Sequence, residues 1–141
     1  MAQNHFLGTW RLVSLENESA NGQISYPWGH NITGYLTYNE DGYMFVALMS
    51  VNRGDFASEG LKRANAEDEA TALDYHRSYC GRYEVKGDTV IHHAEISSFS
   101  DWIGVDLERI FNFDGNRLTL STPPVLIKGT QQTTHLIWER V

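Results

Sequence analysis

The two ends of the chain constrain its fold more than any other feature. Gly8-Thr9-Trp10-Arg11 opens a strand close to the N-terminus, and Trp138-Glu139-Arg140 closes the last strand at the C-terminus. The residues between them form short strand-like runs that are separated by turn residues. If the first and last strands of such an antiparallel sheet pair, the sheet becomes a barrel with no free edge.

The composition indicates one globular domain, spanning residues 1–141, with an acidic surface. Apolar residues make up 41% of the chain and charged residues 21%, with a net charge of −7. This balance argues against binding to nucleic acids or to anionic membranes, which need basic surfaces. No apolar run approaches the roughly 18 residues of a membrane span. Because the N-terminus lacks the features of a signal peptide, we expect a cytoplasmic protein.

Eight strands and one helix are predicted from the alternation of apolar residues and from the turn signals between them. The strands cover residues 9–16, 32–38, 43–49, 79–85, 88–97, 105–113, 116–122 and 133–140. A surface helix is predicted over residues 65–77, because acidic residues occupy its first turn while His76 and Arg77 occupy its last. The loop over residues 17–31 carries Tyr26-Pro27-Trp28, whose aromatic rings are expected to cover a barrel mouth.

Turn positions predict which side chains point into the barrel. Two-residue turns at Lys86-Gly87 and Asp114-Gly115 separate an apolar face from a charged one. The apolar face contains Tyr79, Gly81, Tyr83, Val85, Val90, His92, Ala94, Ile96, Val105, Leu107, Arg109, Phe111, Phe113, Leu118 and Leu120. The turn Asn39-Glu40-Asp41-Gly42, if it has two central residues, would place Phe45 inside as well. Since the opposite face of these two strands is also apolar, we expect another segment or a second subunit to cover it.

His92 and Arg109 are the two polar residues predicted to lie on the apolar face. A buried arginine stays charged and needs a partner, which is either a structural group such as Glu16 or an aromatic ring, or an anionic oxygen of a ligand. His92 is either a core histidine that bonds a tyrosine, or a ligand contact and general acid or base. Both interpretations are open for each residue.

No metal site or cofactor site is predicted. His92 and His93 are adjacent in a strand, so their side chains point to opposite faces and cannot share an ion. His93 and Glu95 share a face, but the outer one. Cys80 is expected to be a packed thiol on the outer face, because it carries no signature of a nucleophile.

Several stretches together resemble a bacterial and fungal family of single-domain lipocalin-like proteins. They are Gly8-Thr9-Trp10-Arg11-Leu12, Gly34-Tyr35-Leu36, Asp41-Gly42-Tyr43-Met44, Cys80-Gly81-Arg82-Tyr83-Glu84-Val85, Val90-Ile91-His92-His93, Trp102-Ile103-Gly104, Arg109-Ile110-Phe111 and Leu118-Thr119-Leu120-Ser121-Thr122-Pro123-Pro124. The resemblance implies an all-β, eight-stranded antiparallel up-and-down barrel with an internal pocket. It also implies an arginine of the last strand lying over the Gly-x-Trp tryptophan, and it brings no settled activity.

These observations predict that the cavity binds a small hydrophobic or aromatic ligand with an acidic or carbonyl group. The expected ligand-binding residues are Trp28, Tyr38, Phe45, Tyr79, Tyr83, His92, Arg109, Phe111 and Leu120. An alternative is a cofactor-free cyclase or isomerase, in which Arg109 stabilises an oxyanion and His92 or Tyr83 moves a proton. A third alternative is a dimerising structural domain with a filled core.

Overall fold

The strands of the protein close into one barrel. The computed structural model describes residues 5–51, 76–127 and 129–141. The barrel strands are β1 (Gly8–Ser19), β3 (Ile32–Tyr38), β4 (Tyr43–Ser50), β5 (His76–Lys86), β6 (Thr89–Ala94), β8 (Val105–Asp114), β9 (Arg117–Ser121) and β11 (Thr130–Arg140). Each pairs antiparallel with the next, and β11 returns to β1. The eight-stranded antiparallel barrel is therefore confirmed.

Three short strands extend the barrel, and the part of the chain described here contains little helix. The short strands β2 (Ile24–Ser25), β7 (Ile96–Ser97) and β10 (Val125–Ile127) pair with β1, β5 and β11. A 3₁₀ helix covers Ser100–Trp102. No helix within the described residues is long and apolar enough to cross a membrane.

The helix predicted over residues 65–77 lies almost wholly outside the described residues. Its last two residues are described, and their assignment to a helix is wrong. His76 and Arg77 begin β5, where they pair with Met49 and Leu48 of β4. Their backbone groups are therefore used by the sheet, which extends three residues beyond the predicted start at Tyr79.

The two ends of the chain meet at one end of the barrel, as expected. The guanidinium group of Arg140 lies 4.1 Å from the centre of the Trp10 ring, and it donates hydrogen bonds to the carbonyl oxygens of Leu7 and His5. A Cβ atom on Gly8 would lie 3.0 Å from Arg140 Nη1, and Gly8 has a φ of 117°. Glycine at this position therefore suits both the backbone and the arginine beside it.

Phe6 closes the same end of the barrel. Its side chain is fully buried and contacts the rings of Tyr38, Phe111 and Phe113 at centroid distances of 4.9–5.0 Å. Its carbonyl oxygen accepts a 2.9 Å hydrogen bond from Trp10 Nε1. We call this end, with the aromatic cluster around Phe6, the closed end.

The predicted orientation of β4 is wrong, because the hairpin before it holds an odd number of residues. Tyr38 pairs with Met44 and Leu36 pairs with Val46, so five residues lie between the last paired positions. The turn is fixed by a 2.8 Å hydrogen bond from Asn39 N to Tyr43 O. Met44, Val46 and Leu48 therefore face inward, while Phe45 faces outward with 49% of its surface exposed.

The orientations predicted for β5, β6, β8 and β9 are confirmed with one exception. Tyr83 pairs with His92, Val90 pairs with Arg109, and Phe111 pairs with Leu120. Each of these two hairpin turns lies one residue later than predicted, at residues 87–88 and 115–116. The shift changes no orientation, because the number of residues in each turn stays at two.

Ile96 is the exception, and a bulge explains it. Glu95 N donates to Cys80 O, and Ile96 then pairs with Cys80, so the alternation slips by one residue. Ile96 consequently points outward and is 69% exposed. Gly81 makes the bulge possible, because a Cβ atom there would lie 1.9 Å from the carbonyl oxygen of His93.

Candidate functional site

A cavity of about 430 Å³ lies inside the barrel, at the end opposite Phe6. Its volume falls within the range of small-molecule sites in proteins. Its apolar wall consists of Leu15, Trp28, Leu36, Val46, Leu48, Trp102, Leu120, Leu136 and Trp138, with Pro27 at the loop end. Its polar lining consists of Asn17, Arg77, Tyr79, His92, Arg109, Thr122 and Thr134.

The structure divides the predicted site residues into three groups. Those that line the cavity are Trp28, Tyr79, His92, Arg109 and Leu120. Tyr38, Tyr83 and Phe111 instead belong to the aromatic cluster of the closed end, where Phe6 packs against all three. Phe45 lies on the outer face, in a shallow groove with Tyr35 and Cys80. The sequence could not reveal that Phe6 fills the closed end of the barrel, because Phe6 precedes the first strand.

Arg109 brings a positive charge into this mostly apolar wall. Its side chain is half-buried, and Nη1 donates a 2.9 Å hydrogen bond to the carbonyl oxygen of Glu108. Among the described residues its guanidinium group forms no salt bridge, neither with the suggested structural partner Glu16 nor with another carboxylate. Its remaining N–H groups have no hydrogen-bond acceptor among the residues that the structure describes.

His92 is held between two tyrosines. Its Nε2 lies 2.6 Å from the hydroxyl oxygen of Tyr38, and its Nδ1 lies 2.8 Å from that of Tyr79. Only 1% of the surface of His92 is exposed. His92 is therefore a buried histidine that bonds tyrosines, as in the first of its two interpretations. Its ring also forms part of the cavity wall.

Burial and the charge of Arg109 determine the protonation states of His92 and its two tyrosine partners. Burial, and next the positive charge of Arg109, lower the pKa of His92 to about 3, so the ring is neutral near pH 7. Burial raises the pKa of Tyr79 to about 12, against the lowering effect of Arg109. Burial also raises the pKa of Tyr38 well above its usual value. Both tyrosines consequently keep their hydroxyl hydrogens.

Aromatic rings surround a second arginine at the open end of the cavity. The guanidinium carbon of Arg77 lies 4.5 Å from the centre of the Phe99 ring, 5.6 Å from that of Trp102 and 5.9 Å from that of Trp28. Trp102 also meets Tyr79 edge-to-face at 5.6 Å. We name Trp28, Arg77, Phe99 and Trp102 the mouth cluster. The sequence prediction missed Arg77 because it placed this residue in a helix.

A polar group faces the cavity near the same end. Thr134 donates a 2.7 Å hydrogen bond from Oγ1 to Asn17 Oδ1, and its backbone N–H donates to Thr122 Oγ1. These residues come from β1, from the residue after β9 and from β11, whose pairing brings them together. The sequence prediction missed Asn17, which follows the predicted end of the first strand, and Thr134, because the last strand carries apolar residues on both faces and its inward face was not predicted.

The other histidine clusters lie on the outside of the barrel. His93 contacts Asp106 at 2.7 Å and Glu84 at 3.1 Å, and the hydrogen bond with Asp106 is the main cause that raises its pKa. His135 lies between Ser121 and Glu18, at 2.7 Å and 2.9 Å. Within the described ranges, no group of three or more His, Cys, Asp or Glu residues is arranged to hold a metal ion.

Comparison with known proteins identifies the family. A profile of the lipocalin-like domain matches residues 7–141. The chain belongs to the lipocalin-like family. This lipocalin-like chain is also similar to a protein of Aspergillus oryzae named 4'-hydroxy-3'-methoxypropiophenone carrier protein ppsC. The two are 35% identical over 94 residues, which cover 59% of the present chain and 85% of the relative.

Proposed function

We propose that the barrel cavity binds a small aromatic ligand whose carbonyl or acidic oxygen meets Arg109. The observation that carries the proposal is the guanidinium group in the cavity wall, which forms no salt bridge with any described residue. A positive charge without a carboxylate partner is costly in an apolar wall, and a ligand oxygen would offset that cost. The surrounding leucines and tryptophans would hold the apolar part of the ligand.

The relative from Aspergillus oryzae suggests a class of ligand to test. Its name describes a carrier of an aryl ketone that also bears a phenolic hydroxyl group. Such a molecule has an aromatic ring for the apolar wall and two oxygen functions that can meet Arg109. We therefore propose that the present chain carries a phenolic aryl ketone or a similar compound.

The test is a calorimetric titration with 4'-hydroxy-3'-methoxypropiophenone. We expect the wild-type protein to bind it, and we expect Arg109→Leu to weaken binding by about 10- to 100-fold, because a hydrogen bond to a charged group is lost. Arg117→Leu is the matched control, since Arg117 is an exposed arginine on the neighbouring strand and does not line the cavity.

The thermal unfolding of Arg109→Leu completes this test. A folded variant with unchanged affinity would contradict the role of Arg109 in binding. Loss of the fold would instead assign Arg109 a structural role. Absence of binding to the wild-type protein would reject this ligand class.

The surroundings of His92 favour binding over the alternative of a cyclase or isomerase. A general acid or base works best with a pKa near the working pH, whereas burial lowers that of His92 to about 3. Both ring nitrogens also contact tyrosine hydroxyl groups. Turnover of a polyene or polyketide-like substrate that is lost in His92→Ala would contradict this preference.

A further inference from the structure

The hydroxyl group of Tyr38 has a single hydrogen-bond partner in the described part of the chain. It is buried, with 1% of the residue exposed, and its only hydrogen bond among the described residues is the 2.6 Å contact with His92 Nε2. A buried hydroxyl hydrogen without an acceptor costs about 1–3 kcal/mol. The hydrogen of Tyr38 therefore goes to Nε2, which must carry a lone pair.

The lone pair on Nε2 determines the protonation of the other ring nitrogen of His92, Nδ1. A neutral imidazole has one N–H group, so a lone pair on Nε2 places the hydrogen on Nδ1. Nδ1 then donates to the hydroxyl oxygen of Tyr79 at 2.8 Å. Both distances lie within the range of hydrogen bonds, so each ring nitrogen has one tyrosine partner.

The hydroxyl hydrogen of Tyr79 is then unused. Tyr79 lines the cavity, and among the described residues its hydroxyl group contacts only His92. Arg109, which lines the same cavity and whose charge acts on Tyr79, supplies only N–H donors. This part of the cavity consequently presents donor hydrogens from both residues.

We propose that Tyr38 fixes the tautomer of His92, so that Tyr79 donates its hydroxyl hydrogen to the ligand beside Arg109. The ligand atom at this place accepts both hydrogens, as the oxygen of a ketone, a carboxylate or a phenolate does. Tyr38 is a positioning residue that acts from behind the cavity wall. The inference rests on the proposed function for its ligand, but the tautomer of His92 can be measured without any ligand.

The first test is a two-dimensional ¹H–¹⁵N spectrum of the histidine side chains in the wild-type protein near pH 7. We expect His92 to show a protonated Nδ1 and a deprotonated Nε2. The resonances are assigned by their absence in His92→Gln. A protonated Nε2 would overturn the proposal, whether or not any ligand binds.

The second test uses tyrosine variants and 4'-hydroxy-3'-methoxypropiophenone as the probe. Tyr38→Phe should shift the His92 population toward the Nε2–H form and weaken binding by about 2- to 10-fold, because Tyr79 then donates to Nδ1 instead. Tyr83→Phe is the matched control. Tyr83 packs 4.7 Å from Tyr38 in the same cluster, yet its hydroxyl group bonds Asn39 O and not His92.

A variant with both Tyr38→Phe and Tyr79→Phe separates the positioning role of Tyr38 from a general loss of packing. If Tyr38 acts only through Tyr79, Tyr38→Phe should weaken binding no further in a Tyr79→Phe background. Additive losses, or an equal loss in Tyr83→Phe, would overturn the proposal. If the wild-type protein does not bind the probe, the proposed ligand class fails, and the histidine spectrum alone decides on the tautomer.

Discussion

His92 is the residue whose surroundings have the clearest consequence for stability. In the folded protein its pKa is lowered to about 3 by burial and by Arg109, whereas an unfolded chain protonates histidine near its ordinary value of about 6.5. Between these two values the unfolded state binds more protons than the folded state. Stability contributed by the neutral ring is therefore complete above about pH 6.5 and is lost as the pH falls.

Urea denaturation at pH 7 and pH 5 measures this effect. We expect the wild-type protein to lose about 1.4 kcal/mol of unfolding free energy per pH unit below 6.5 through His92, and His92→Gln should lack this component. His93→Gln is the control, because hydrogen bonds to Asp106 and Glu84 raise the pKa of His93 and give its contribution the opposite sign. An equal pH slope in the wild type and His92→Gln would contradict the assignment.

Among the elements, the first and last strands depend on Arg140. Its guanidinium group lies over Trp10 and bonds the carbonyl oxygens of Leu7 and His5, so one side chain joins β1, β11 and the segment that carries Phe6. We expect Arg140→Leu to lower the unfolding free energy by about 1–3 kcal/mol, measured by urea denaturation.

Arg140→Lys is the matched control for this prediction. Lysine keeps the charge over Trp10 but lacks the planar fork that reaches two carbonyl oxygens, so it should restore part of the loss. Full stability in Arg140→Leu would contradict the structural role of this contact.

The orientation of each strand could be predicted from the sequence only where the number of residues in the turn was read correctly. The turns after Lys86 and Asp114 lie one residue from their predicted places, but each still holds two residues, so every orientation beside them was right. Five residues separate Tyr38 from its partner Met44, instead of the four predicted between Tyr38 and Tyr43, and this one additional residue turns Phe45 from the cavity to the solvent. Gly42 marked the turn without revealing its length.

The sequence predicted only some of the residues that line the cavity. Arg109 and His92 stand out as polar residues in an apolar pattern, and the structure places both in the cavity wall. Arg77 and Asn17 lie in strands that extend beyond their predicted ends, and Thr134 lies in the last strand, whose inward face was not predicted. Tyr38, Tyr83 and Phe111 were predicted at the correct face but at the wrong depth, because pairing determines a face and does not show that Phe6 fills one end.

The whole molecule is a barrel with one filled end and one hollow end. The aromatic cluster around Phe6 occupies the closed end, where the hairpins after Tyr38, Lys86 and Asp114 also lie. The cavity and the mouth cluster occupy the other end. The closed end is thus filled by side chains, whereas the other end leaves a cavity of about 430 Å³.

A crystal structure of the protein with 4'-hydroxy-3'-methoxypropiophenone tests the proposed binding site most directly. The account predicts one ligand inside the barrel, with an oxygen about 2.7–3.2 Å from both the guanidinium group of Arg109 and the hydroxyl group of Tyr79. Its aromatic ring should lie among the leucine and tryptophan side chains of the wall. A ligand seated in the outer groove beside Phe45, or one whose oxygens avoid Arg109, would contradict it.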